Sequence, residues 1–203
     1  MTPQPTVPRL PEPEAAVTPA DIRDGAAVAL VVGVSGALLG LLWTWLAPRV
    51  QYVSNGEAVF LRNTESEARI GADGTFFLLA LGLGVLSALG VFLWRRRGGV
   101  PLVIGLAFGA CFASLVGWRL GLWLGPGTDV PAAAAKAGEG VAFDAPLQLL
   151  AQGALLVWPM AAVAVHLALT AVWGPRDPEP PADWHPEGTY PPAHVHAKPA
   201  PPS

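Results

Sequence analysis

The chain has 203 residues, 52% of them hydrophobic and 13% charged, with a formal net charge of −3. That length allows one domain, and so small a net charge argues against nucleic acid as a partner. Its single cysteine, Cys111, excludes an internal disulfide and any CxxC or Cys/His metal site, and with them thiol-redox chemistry.

The apolar residues gather in four runs, each near or above the roughly 20 residues that cross hydrocarbon. The lipid bilayer is therefore the expected surrounding of most of the chain. Residues 1–17 are rich in Pro with Thr, Gln and Glu and read as a disordered arm. The charge and apolar run of a cleavable leader would stand nearer the start, so none is expected. Thr18-Pro19-Ala20-Asp21 is a helix start: Thr18 can cap, Pro19 suits the first turn and Asp21 favours the positive helix end.

The first span is expected at about 25–47. Gly25, Ala29, Gly33, Gly36 and Gly40 recur at three- and four-residue steps, Trp43 and Trp45 mark an aromatic belt, and Pro48 ends the helix. In the loop that follows, Asn55-Gly56 stands between two β-prone runs, 50–54 and 57–61. This predicts a small outward β-hairpin closed by a type I′ turn. Asp73 is placed to cap a second span at about 75–94.

Arg95-Arg96-Arg97 closes that span in a very short turn. Arginine in short loops stays on the cytoplasmic side, so this turn and both termini are expected inside. The loops 48–74 and 126–145 then face outward. The third span, about 100–125, carries a small residue at every fourth position: Gly105, Gly109, Ala113, Gly117, Gly121 and Gly125. Helices in lipid associate through close backbone approach rather than the hydrophobic effect, so this ladder is a packing groove, with the first span as its natural mate. Trp118 and Trp123 mark the outer belt, and Pro126 stops the helix. Residues 126–145 read as a flexible loop with one helical turn at 132–137.

The fourth span is expected at about 147–173, kinked or opened by Pro159 near its middle. As one helix, it would align Gln148, Gln152, Pro159, His166 and Thr170 on one narrow face. After residue 174 comes a Pro-rich tail that reads as disordered.

Several polar groups are candidate sites. Arg119 lies roughly 9 Å from the outer end of its span at 1.5 Å per residue. It either pairs with Asp144, Asp73 or Gln152 at that depth, or snorkels past Trp118 and Trp123 to the headgroups. The second is favoured, because an intramembrane charge is costly only where it cannot reach water. The Gln152–His166 file is either a proton or solute path or a set of interhelical hydrogen bonds. No span carries Asp or Glu at mid-depth, which favours the bonds. His185, His194 and His196 lie in the Pro-rich tail and read as solvated rather than metal-binding. Pro178-Glu179-Pro180-Pro181 fits a PxxP ligand, a cheap match in such a tail. There is no HExxH, GxxxxGK[ST] or GxSxG pattern, so no catalytic residue, cofactor or metal site is assigned.

Trp43…Ala47-Pro48-Arg49, Ile70-Gly71-Ala72-Asp73-Gly74-Thr75-Phe76, Gly117-Trp118-Arg119-Leu120-Gly121 and Leu124-Gly125-Pro126 are short runs with a shared look. They are similar to an actinobacterial membrane-protein family catalogued as a domain of unknown function. The resemblance covers about residues 18–175. It implies four membrane helices and transfers no functional residue.

These readings converge on an all-α protein of the plasma membrane. It has a four-helix transmembrane domain at 18–174, a small outward hairpin, disordered Pro-rich ends and both termini in the cytoplasm. The expected function is that of a non-enzymatic accessory or scaffold module of the envelope. Its expected partner is a membrane protein or a second copy of itself. The alternative is a small-solute or proton-linked transporter using Arg119 and the Gln152/His166 face.

Overall fold

The computed structural model describes residues 17–65, 67–96 and 99–174. Nearly all of the N-terminal arm, and the whole Pro-rich tail with its histidines and PxxP run, lie outside the described residues.

The described chain is mostly helical. The long helices are α1 (Pro19–Leu46), α2 (Ala68–Trp94), α3 (Val100–Leu124) and α5 (Val157–Trp173). A 3₁₀ turn, Gln152–Leu156, leads into α5, and α4 is short (Val130–Ala137). With that turn counted into α5, four helices are long and apolar enough to cross a membrane. Strands β1 (Gln51–Ser54), β2 (Val59–Leu61) and β3 (Ala142–Asp144) form one small antiparallel sheet of order β2-β1-β3.

α1 begins as its sequence dictates. Thr18 Oγ1 accepts from the Asp21 amide at 3.3 Å, and the Asp21 carboxylate accepts from the Thr18 amide at 3.0 Å. This reciprocal box satisfies amides that have no partner within the helix. α2 starts seven residues before the expected position. Gly71 packs on Pro48, where an added Cβ would stand 3.0 Å from the ring. The Trp43 indole N–H also donates to the Ala72 carbonyl at 2.9 Å. Contacts with the end of α1 thus hold the extra turns of α2, and Asp73 lies inside the helix rather than at its cap.

In the bundle, α1 lies beside α3 and α2, and α5 lies beside α2 and α3. α1 and α3 run parallel, from Gly25 against Pro101 and Gly105 to Gly40 against Gly117. α5 packs parallel to α2, with Gly84 against Trp158 and Ala162 and Phe92 against His166. Trp43, Phe76, Leu39, Leu106 and Trp158 are fully buried and fill the interior. Trp43 is therefore a core residue, meeting the Phe76 ring edge-to-face at 5.1 Å, and not part of an aromatic belt.

The hairpin is present, but its turn is four residues rather than a two-residue type I′. Asn55 Oδ1 accepts from the Glu57 and Ala58 amides at 3.1 and 2.8 Å, and only Gly56 takes positive φ (92°). An asparagine side chain that mimics a backbone turn lets Asn55 keep negative φ. The third strand comes from the loop after α4, where a flexible segment was expected. Tyr52 pairs with Phe143, their rings edge-to-face at 6.0 Å. The helical turn expected at 132–137 is α4, capped by Asp129 Oδ1 on the Ala132 amide at 3.0 Å. Both loops read as outward are thus laced together at one end of the bundle.

The fourth long helix departs most from expectation. Residues 147–151 are not helical, with Leu147 and Leu149 buried in the core. Pro159 sits in the first turn of α5, just past the 3₁₀ segment, where a missing amide costs little. It marks a junction rather than a mid-helix kink.

Candidate functional site

The break at residue 152 takes Gln148 and Gln152 off any common helical face with His166. Gln148 is exposed in the extended segment, and Gln152 is exposed at the start of the 3₁₀ turn. His166 is buried in α5, edge-to-face with Phe92 at 6.4 Å, with its imidazole facing the Ala88 backbone. Its Nδ1 has no hydrogen-bond partner, as is true of Ser114 Oγ and Trp118 Nε1 among the described residues. Thr170 donates back to the His166 carbonyl at 2.9 Å.

Arg119 is exposed on the flank of α3, its guanidinium 4.8 Å from the Trp118 ring centroid. Its three anticipated partners are elsewhere. Asp144 faces Arg49, with Nε to Oδ2 at 3.7 Å. Arg49 also donates to the Thr44 carbonyl at 2.8 Å. A cation at the negative end of α1 is favourable there, and it ties α1 to the sheet. Asp73 accepts from the Leu150 and Ala151 amides at 3.0 and 2.9 Å. A carboxylate held in α2 thus satisfies the irregular backbone that leads into α5. Gln152 lies just past that clamp.

The small-residue ladder lines the α1–α3 contact. An added Cβ at Gly109 would stand 2.8 Å from the Ala29 backbone, and one at Gly117 would stand 2.8 Å from Leu39. Gly105 faces Gly25, Ala113 faces Gly36, and Gly121 faces the Trp43 ring.

At the opposite end of the bundle from the sheet, Asp24 of α1 forms an ion pair with Arg95, the residue just after α2. Asp24 is buried while Arg95 is about half exposed. Sequence reasoning passed over Asp24. The available signal was that Asp24 opens one apolar run, Arg95 closes the next, and both were assigned to the same end.

Among the described residues, no three His, Cys, Asp or Glu side chains lie close enough to hold a metal ion. The polar groups act in pairs as ties between elements: Asp24 with Arg95, Arg49 with Asp144, and Asp73 with the 150–151 amides. No family model matches the chain, and neither a curated protein nor a solved structure shows a significant match to it.

Proposed function

We propose that the chain is a multi-pass protein of the plasma membrane with α1, α2, α3 and α5 as its spans and both ends in the cytoplasm. Within the envelope it serves as a non-enzymatic accessory or scaffold module. The observation that carries the membrane reading is the apolar outer surface. Leu30, Val31, Leu86, Phe108, Phe112 and Met160 stand exposed on the long helices. Exposed tryptophans flank this band, Trp45 (80%) and Trp123 (81%) at the sheet end, Trp94 and Trp173 at the other. An apolar band between two tryptophan girdles matches hydrocarbon between two headgroup layers. The arginines after α2 supply the inward orientation, and the likeness to the four-helix actinobacterial family belongs to the same proposal.

The scaffold reading is supported by the filled interior and by polar groups spent on ties between elements. Reporter fusions at the carboxyl terminus test the orientation, and an extracytoplasmic signal would reverse it. Purification in mild detergent tests the scaffold role. A lone monomer with no partner and no second copy would count against it.

Transport is the second reading, and His166 carries it, as a buried imidazole with Nδ1 unpartnered. Its test is pH-dependent uptake into proteoliposomes, where unchanged flux in His166→Ala and Arg119→Ala would remove it.

A further inference from the structure

Where the chain leaves α1 and enters β1, it gathers nitrogen donors. Arg49 and Gln51 are two residues apart, the spacing that shares one face of extended backbone. The Arg62 amide donates to the Gln51 carbonyl at 3.0 Å, which sets Arg62 beside Gln51 across β1 and β2. With Asn63, these side chains line an open pocket of about 490 Å³.

The side-chain acceptors in the wall of this pocket are engaged. Gln51 Oε1 accepts from Arg62 Nη1 at 2.8 Å, and Asn63 Oδ1 accepts from the Glu65 amide at 3.0 Å. What the four side chains still offer is N–H. The side-chain amide nitrogens of Gln51 and Asn63, Nε and Nη2 of Arg62, and Nη1 of Arg49 have no partner among the described residues.

The charges do not cancel. Arg49 is offset by Asp144 at 3.7 Å and held by the Thr44 carbonyl at 2.8 Å. Arg62 forms no ion pair among the described residues. One net positive charge therefore remains over a surface of donors. That combination suits a singly charged oxyanion, and neither a cation nor an apolar group.

We infer that this pocket binds a phosphate group carrying one negative charge, with Arg62 as its principal holder and Gln51 and Asn63 as flanking donors. Arginine presents a planar fork of donors that matches two phosphate oxygens. Free phosphate and the diester of a lipid headgroup share this chemistry. The headgroup is a source because Arg49 is pinned to the carbonyl of Thr44, the neighbour of exposed Trp45 in the girdle at this end. The inference goes beyond the scaffold reading and does not depend on which way the sheet end faces.

Calorimetric titration of the full chain in a neutral maltoside detergent, at matched ionic strength, tests it. One probe is inorganic phosphate; the other is glycerophosphoglycerol, the soluble phosphodiester head of phosphatidylglycerol. Binding of either upholds the site if Arg62→Gln weakens it about tenfold. The tighter probe identifies the source. Arg62→Lys keeps the charge without the fork and should lose less. Arg62 is exposed, so both variants should fold. Arg69→Gln removes an equal charge from an exposed arginine outside the pocket and should leave binding unchanged. No binding of either probe would overturn the inference. So would equal losses in Arg62→Gln and Arg69→Gln, which would trace binding to surface charge rather than to this pocket. Neither result would bear on membrane insertion or the scaffold role, whose tests stand apart.

Discussion

Gly40 of α1 lies so close to Gly117 of α3 that a Cβ on Gly40 would stand 2.7 Å from the Gly117 carbonyl oxygen. The obstacle is backbone, which cannot rotate away as a side-chain tip can. Leu120 and the Gly121 amide close the other sides at 3.0 and 3.2 Å. Gly40→Leu should therefore push α1 off α3 and cost about 1–3 kcal/mol or more. Gly82→Ala, with nothing within 4 Å, should be neutral or stabilising by up to about 1 kcal/mol. Unfolding of the two variants in a mixed-micelle titration checks the contrast. Equal stability would mean that the two helices do not meet in this register.

Asp73 bonds the amides of Leu150 and Ala151 from across the bundle. Asp73→Ala leaves both amides without that acceptor and should cost about 1–3 kcal/mol. Asp73→Asn keeps an oxygen for one of them and should fall between. Hydrogen exchange at residues 150 and 151 should accelerate ahead of exchange in α3. Uniform acceleration across the bundle would show that the clamp is not local.

Trp43 contributes both volume and a donor. Trp43→Phe removes the bond to the Ala72 carbonyl and should cost about 1–2 kcal/mol. Trp43→Ala also empties the space against Phe76 and Gly121 and should cost about 3–5 kcal/mol. A thermal melt that ranks the alanine variant no lower than the phenylalanine variant would contradict the packing described.

Asp24 and Arg95 are separate in sequence and paired in space. A double-mutant cycle with Asp24→Asn and Arg95→Gln should yield a coupling of about 0.5–3 kcal/mol. Leaving Asp24 buried and unpaired should make Arg95→Gln costlier than Arg96→Gln. Additivity within about 0.5 kcal/mol would show that the pair contributes nothing.

The long helices were legible because their signals are local and repeated. Runs of apolar residues, the Thr18 cap and the Pro48 and Pro126 stops each act within a few residues. The small-residue steps in α1 and α3 also showed which sides could approach, because only glycine and alanine admit backbone contact. What was not legible depends on partners distant in sequence. β3 is an edge strand of three residues whose only reason to extend is β1, some 90 positions earlier. Asp73 has the chemistry of a cap, but the amides it serves lie 77 and 78 residues on. The 3₁₀ start of α5 hides in an apolar run, where a helical and an extended segment have the same composition. The Gln148–His166 face existed only for an unbroken helix. Trp43 and Trp45 look alike in sequence, yet one fills the core and the other stands 80% exposed.

The most intimate neighbour of α1 is α3, and that of α2 is α5. Each half of the molecule therefore carries the missing wall of the other. As the chain is made, the glycine side of α1 stays vacant until α3 arrives, and Gly84 stays bare until α5 does. Neither half is a folding unit by itself. Two fragments severed between α2 and α3 should be unstable apart and should reassemble when made together, with the sheet as a second seam between them.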